Sequence, residues 1–140
     1  HTYITGALND ANLLTALKKG RTYLSNGPFL YNNLSDSSNR ELIMGDIFQI
    51  SASKVPPNYP VSIDSYYNTG TEVVTVRVYR GTVGDSDEVL LAEYINISGA
   101  GVLNTATTVP TSGTSWYRTE LEADNVWKSA YATPCYIFLK

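Results

Sequence analysis

Residues able to do hydrolytic chemistry are scarce in this sequence, and those present are not grouped. The 140-residue chain contains one histidine, His1, and one cysteine, Cys135. Metal centres and serine or cysteine nucleophiles of hydrolases draw on internal histidines as ligands or as general base. Cys135 begins the apolar run 135–139, where a thiol behaves as a small buried hydrophobic group. We therefore expect no catalytic residue, no metal ligand and no cofactor in this chain.

One acidic cluster deserves comparison with a cation site. Asp85, Asp87 and Glu88 follow Gly84 within a short turn, and calcium prefers oxygen ligands at close spacing. The cluster lacks the further spaced carboxylate and trailing glutamate of a helix-loop-helix calcium loop. A solvated hairpin loop is the simpler interpretation, with calcium as the alternative.

Aromatic side chains are the one feature with binding potential. The chain has eleven tyrosines and two tryptophans, whose ring faces can stack on sugars as well as fill a core. Adjacent residues on a strand face opposite ways, so only some of these rings can be at the surface. The candidates for sugar stacking are Tyr59, Tyr66 and Trp127, which makes carbohydrate a possible partner.

Charge and hydropathy exclude two classes of partner. The net charge of -3 supplies no excess of lysine and arginine to attract nucleic acid or anionic lipid. No apolar stretch approaches the roughly 18 residues of a membrane span. We therefore expect neither a nucleic-acid nor a membrane partner. The compartment is unknown, although abundant Thr, Ser, Asn and Tyr lean toward an exported bacterial protein.

A single segment has helical periodicity, from Asn9 to Lys19. Asn9 or Asp10 can cap its first turn, and Gly20 can adopt the left-handed conformation that ends a helix. Its apolar residues, which gather on one side, are Leu13, Leu14, Ala16 and Leu17. With few other helical segments, this stripe must pack on a sheet or on something outside the chain.

Alternating polar and apolar residues dominate the remainder. Val74, Val76 and Val78 alternate with polar neighbours between Glu72 and Arg80, which predicts a strand with one buried face. The segment 42–50 could hold a strand behind the Gly45-Asp46 turn, and the other predicted strands are 21–25, 29–34, 61–67, 88–97, 102–109, 116–123 and 130–139. Seven to nine short strands indicate a mainly β fold, an immunoglobulin-like two-sheet β-sandwich with one short N-terminal α-helix.

The segment from Leu13 to Pro28 resembles a stretch that follows the catalytic domain in the PHP (polymerase and histidinol phosphatase) family, closest to the CehA/McbA-like metallohydrolases. A helix ends in Lys-Lys-Gly-Arg and runs into a strand and the Asn26-Gly27-Pro28 turn. Weaker matches follow in order at 44–46, 115–118 and 133–134, so the resemblance covers nearly the whole chain. The sequence departs from the pattern at Ala132-Thr133-Pro134, where the family usually has Thr-Asn-Pro, and in the loops 35–41 and 55–59.

The resemblance implies a parent enzyme that hydrolyses phosphate or other esters with a cluster of divalent metals. The ligands would belong to an N-terminal α/β barrel, and none of the family's ligand motifs is present here. Because the chain begins at His1, we expect it to be part of a longer protein. Residues 1–28 would join the missing upstream catalytic domain, and residues 29–140 would form the sandwich.

The leading hypothesis is thus a non-catalytic C-terminal accessory domain that caps or orients a PHP-type catalytic barrel. The alternatives are a carbohydrate-binding module and a cell-surface interaction domain of immunoglobulin-like fold, because β-sandwiches host all three functions. The residues expected at the interdomain interface are Leu13, Leu14, Leu17, Arg21, Asn26, Gly27 and Pro28.

Overall fold

The computed structural model describes residues 1–38, 40–51, 58–123 and 128–139. Within these ranges the chain forms one helix and eleven strands, arranged as two packed sheets. In chain order the elements are α1 (Asp10–Lys18), β1 (Tyr23–Ser25), β2 (Phe29–Asp36), β3 (Glu41–Ile43), β4 (Ile47–Ile50), β5 (Pro60–Asn68), β6 (Val74–Thr82), β7 (Glu88–Ile97), β8 (Ala100–Thr108), β9 (Thr114–Ala123), β10 (Ser129–Ala132) and β11 (Cys135–Leu139). The predicted mainly β, two-sheet fold with one short helix is confirmed.

Local signals set both ends of α1. The Asn9 side chain accepts a hydrogen bond from the Asn12 amide at 2.9 Å, which caps the first turn. Gly20 follows the last turn with φ of +67°, the left-handed conformation that glycine adopts without steric cost. In the described part of the chain, no helix has the length and apolar content needed to cross a membrane.

The larger sheet is organised around β9. One edge of β9 pairs antiparallel with β6, which pairs in turn with β7. The other edge is shared, because β10 pairs with the C-terminal half of β9 and β11 pairs with the N-terminal half. β1 lies beyond β10, and β4 lies beyond β11 in parallel orientation. The smaller sheet has the order β3-β2-β5-β8, with antiparallel pairing throughout.

The core lies between the two sheets and is built from alternate residues of their strands. On β6, Val74, Val76 and Val78 are fully buried, as the alternation of this segment predicts. Their neighbours Arg77 and Tyr79 point to the outer face of the larger sheet, where Arg77 is ion-paired. The largest fully buried apolar side chains elsewhere are Leu30, Leu34, Met44, Ile63, Tyr117, Leu121 and Ile137.

One predicted strand is divided in the structure, and another predicted segment holds two strands. The segment 130–139 forms β10 and β11, which separate at Thr133 and Pro134. Proline has no amide hydrogen, so it cannot continue a ladder. The segment 42–50 is divided into β3 and β4 by a turn at Met44 and Gly45, and these two strands join different sheets. The prediction of a single strand over 130–139 is therefore wrong, whereas the strand expected behind the Gly45-Asp46 turn is β4.

Candidate interdomain interface

The apolar stripe of α1 is largely exposed. Ala16 is the residue of this helix that is buried, whereas Leu13, Leu14 and Leu17 are 36%, 52% and 50% exposed. The preceding Leu8 is 82% exposed. Among the described strands, none packs extensively against α1, and the chain at the C-terminal end of the helix contacts the sandwich at Gly45. The described chain thus leaves an apolar helix face without cover.

Arg21 attaches the end of this helix to the sandwich. Its guanidinium group donates two hydrogen bonds from Nη2 to the Asp46 carboxylate, at 2.9 and 3.1 Å, and a third from Nε at 3.3 Å. Nη1 donates to the Thr5 hydroxyl at 2.8 Å. The two charged side chains are 11% and 19% exposed, so their attraction is less screened than that of a surface pair. Lys19 adds a longer contact to Asp46, at 3.9 Å.

Gly45 permits the close contact between this turn and the helix end. A Cβ atom at Gly45 would lie 2.3 Å from the Lys19 carbonyl oxygen and 2.6 Å from the Gly20 backbone. The Gly45 amide donates to the Pro134 carbonyl at 2.9 Å. A Cβ atom at position 45 would therefore require the helix end or the turn to move, and the φ of +83° also favours glycine.

A second contact, close to the Arg21–Asp46 ion pair, joins Thr22, between α1 and β1, to Thr133, between β10 and β11. The Thr133 hydroxyl and the Thr133 amide both donate to the Thr22 carbonyl, at 2.5 and 3.1 Å. The hydroxyl groups of the two threonines also share a hydrogen bond at 3.1 Å. The Gly-Arg, Gly-Asp and Thr-Pro segments, distant in sequence, therefore meet at one place. The sequence singled out all three segments but contained no signal that they touch.

The Asn26-Gly27-Pro28 turn lies at the opposite end of β1 from Arg21. The Asn26 side chain accepts a hydrogen bond from the Ser129 amide at 2.7 Å, which closes the β1–β10 pair. Gly27 and Pro28 line an open cleft of about 430 Å³ with Glu72 and an ion-paired Lys128. The seven predicted interface residues are thus divided between two ends of the strand. β1 itself falls in the segment 1–28 but is hydrogen-bonded into the larger sheet.

Two of the three predicted sugar-stacking aromatics are in the described residues, and neither presents a free ring. Tyr59 is 8% exposed, and its hydroxyl donates to Asp36 at 2.7 Å. Tyr66 is half-buried against Tyr31, with ring centroids 5.4 Å apart. Trp127 lies outside the described residues. The structure does not bring Tyr59 and Tyr66 together into a platform.

The acidic cluster 85–88 and Cys135 are the groups whose chemistry could involve a cation or a nucleophile. Asp85 and Asp87 are exposed in the turn after β6, while Glu88 pairs with Arg118 at 2.8 Å. Within the described ranges, no three His, Cys, Asp or Glu side chains are close enough together to hold a metal ion. Cys135 is fully buried, and burial raises the pKa of its thiol well above the ordinary value.

Neither a family model nor a curated protein matches this chain.

Proposed function

We propose that this chain is a non-catalytic accessory β-sandwich of a PHP-type metal-dependent hydrolase, and that it caps or orients the catalytic barrel through α1. The observation that carries the proposal is the exposed apolar face formed by Leu13, Leu14 and Leu17. We call these three residues the leucine face.

The leucine face has a free-energy reason to be covered. Burying a large aliphatic side chain completely is worth about 1.5 to 3 kcal/mol, and these three are about half covered by the chain itself. Contiguous exposed apolar residues of this kind mark interaction sites on soluble proteins. Lys18 and Lys19 border the face, so a partner with a matching acidic rim would gain further.

From the resemblance to the CehA/McbA-like branch, we infer that the partner is the chain's own upstream catalytic domain. In that arrangement the divalent metals would be bound by the barrel, and the sandwich would contribute position and not chemistry. The ion pair between Arg21 and Asp46 supports this role, because it holds the end of the helix at a defined place on the sandwich.

The coding sequence upstream of His1 provides the first test. We expect a His-x-His motif early in it and an Asp-x-His motif late in it, the pattern of a PHP barrel. An upstream region that encodes a glycosidase, a surface repeat or nothing with these motifs would contradict the proposal. Adding manganese, zinc or magnesium to the 140-residue chain should produce no phosphate-ester hydrolysis above a buffer blank.

Association measurements provide the second test. The upstream domain, produced as a separate chain, should bind the sandwich in calorimetry, and Leu17→Asp should weaken this binding at least about tenfold, because a charge in a desolvated apolar contact costs more than 1.4 kcal/mol. Val83→Asp is the matched control, since Val83 is 56% exposed, close to the 50% of Leu17, but lies in the turn that follows β6. Equal affinity of the two variants would place the interface elsewhere.

A further inference from the structure

Residues 4–20 contain α1 and contribute no strand to either sheet, and we call this segment the helical loop. Its two ends are held together by the chain on either side of it. Thr2 and Thr22 form an antiparallel bridge, and the Tyr3 amide donates to the Arg21 carbonyl at 2.8 Å. Opening the helical loop would therefore leave β1 and the rest of the larger sheet paired.

Apolar burial contributes little to holding the helical loop in place. Ala16 is buried and Ile4 is half-buried, but the leucine face is not, and no described strand packs extensively against α1. A helix of nine residues is also too short to be stable in water without tertiary contacts. Its attachment must depend on the polar contacts near its two ends.

Those polar contacts converge on Asp46. At the start of the helical loop, Thr5 is bound by the Arg21 guanidinium, which in turn binds Asp46. At its end, the Lys19 ammonium lies 3.9 Å from the same carboxylate. Asp46 is fixed by the β3–β4 turn, because its side chain accepts from the Ile43 amide at 3.3 Å and its carbonyl accepts from the Tyr136 amide at 3.0 Å.

We propose that Asp46 is a latch: the helical loop opens and closes as one unit on an intact sandwich, and the Asp46 carboxylate holds it closed through Arg21 and Lys19. Segments with few buried apolar contacts open locally at lower free energy than the whole domain. The latch determines how often the leucine face is in its docking position. It is a property of this chain alone, and its test does not depend on a partner.

Hydrogen exchange of the 140-residue chain, followed by mass spectrometry, tests the latch. Amides of residues 11–20 should exchange faster than those of β9 in the wild type. Asp46→Asn should accelerate the exchange of residues 11–20 by roughly tenfold, the effect expected for weakening a charge-assisted hydrogen bond, and leave β9 unchanged. Asp85→Asn removes one exposed carboxylate from a turn and serves as the control.

Arg21→Gln is the second variant and should accelerate the exchange of residues 11–20 by a similar factor. It keeps the proposal testable if Asp46→Asn does not yield folded protein. Limited trypsin digestion after Lys18 and Lys19 should be faster in both variants, because cleavage requires the helix to unfold. Three outcomes would overturn the latch: equal exchange of residues 11–20 and β9 in the wild type, equal acceleration of both segments in the variants, or no difference between the variants and Asp85→Asn.

Discussion

At the scale of single residues, two strand glycines are explained by an aromatic ring on the neighbouring strand. Gly81 lies directly opposite Trp116, and a Cβ atom at Gly81 would be 2.1 Å from the indole ring. Gly101 lies opposite Tyr67 in the smaller sheet, where the Tyr67 hydroxyl oxygen is 2.7 Å from the same position. The ring covers backbone that glycine leaves bare, so each pair offsets the weakness of glycine in a strand.

We expect Gly81→Ala to destabilise the fold by about 1 to 3 kcal/mol, because the new methyl group would displace the Trp116 ring. The midpoint of urea unfolding measures the effect. Gly27→Ala is the control, since the atoms nearest to a Cβ there are 3.8 Å away, at the flexible end of Lys128. Similar midpoints for Gly81→Ala and the wild type would mean that the indole ring can move aside without loss.

Asp36 is the second residue whose surroundings change its properties. Burial alone would raise the pKa of this carboxyl group, but hydrogen bonds donated by Tyr59 and Arg40 outweigh burial, and the pKa falls from 3.8 to about 2. The Asp36 carboxylate is 4% exposed, and the Arg40 guanidinium lies over the Phe48 ring at 4.3 Å. The cluster joins the end of β2 to the strands that follow it.

This shift predicts a pH dependence of stability. Because the folded-state pKa lies below the unfolded value, the ionised carboxylate stabilises the fold above about pH 4 and loses this effect as pH falls through about 2. We expect Asp36→Asn to cost about 2 kcal/mol at pH 7 and much less near pH 2. Urea unfolding at both pH values measures this. A cost independent of pH would show that the hydrogen-bond geometry matters more than the charge.

At the scale of elements, α1 and the strands have equally clear apolar patterns but different surroundings. The valines of β6 are fully buried because a second sheet faces them. Among the described elements, none packs over the leucine face of α1, and about half of its surface meets solvent. An amphipathic pattern therefore identifies the element and its apolar side, while the cover depends on the neighbouring elements.

Two substitutions compare these environments in the chain by itself. We expect Leu17→Asp to change the free energy of unfolding by less than about 1 kcal/mol, because Leu17 is already 50% exposed. Leu121→Ala, at a fully buried position of β9, should cost about 2 to 5 kcal/mol. Urea titration at neutral pH measures both free-energy changes. A large loss for Leu17→Asp would assign the leucine face to the core and would remove the basis of the docking proposal.

At the scale of the whole molecule, β9 links every part of the larger sheet. It pairs with β6 along one edge and with both β10 and β11 along the other. Cys135 begins β11 directly opposite Tyr117, and both side chains are fully buried between the sheets. Exposure of this thiol to solvent requires the two sheets to separate.

Cys135 should therefore report global unfolding. We expect an aromatic disulfide reagent to label the native chain at the rate of global unfolding, and to label it at once in concentrated urea. The labelling rate should be slower than hydrogen exchange in the helical loop, because that loop opens while the sheets remain packed. Rapid labelling in native buffer would show that this end of β11 detaches by itself.

The sequence by itself determined the features that depend on local signals. The cap at Asn9, the stop at Gly20 and the two-residue period of β6 and β9 are properties of neighbouring residues, so these elements could be predicted within a few positions. The mainly β class followed from composition and from the number of such segments. The sequence also singled out Arg21, although as an interface residue and not as the partner of Asp46.

Only the tertiary structure decided which residues meet and which remain exposed. Arg21 and Asp46 are 25 positions apart, and Thr22 and Thr133 are 111 apart, so no local pattern pairs them. The same limit applies to Tyr59, which is buried in the core cluster with its hydroxyl bound to Asp36, and to the break between β10 and β11, which lets each half pair with a different part of β9. Exposure of the leucine face is likewise a relation between distant segments. Such relations arise when the chain collapses, because burial is determined by what packs from elsewhere in the sequence.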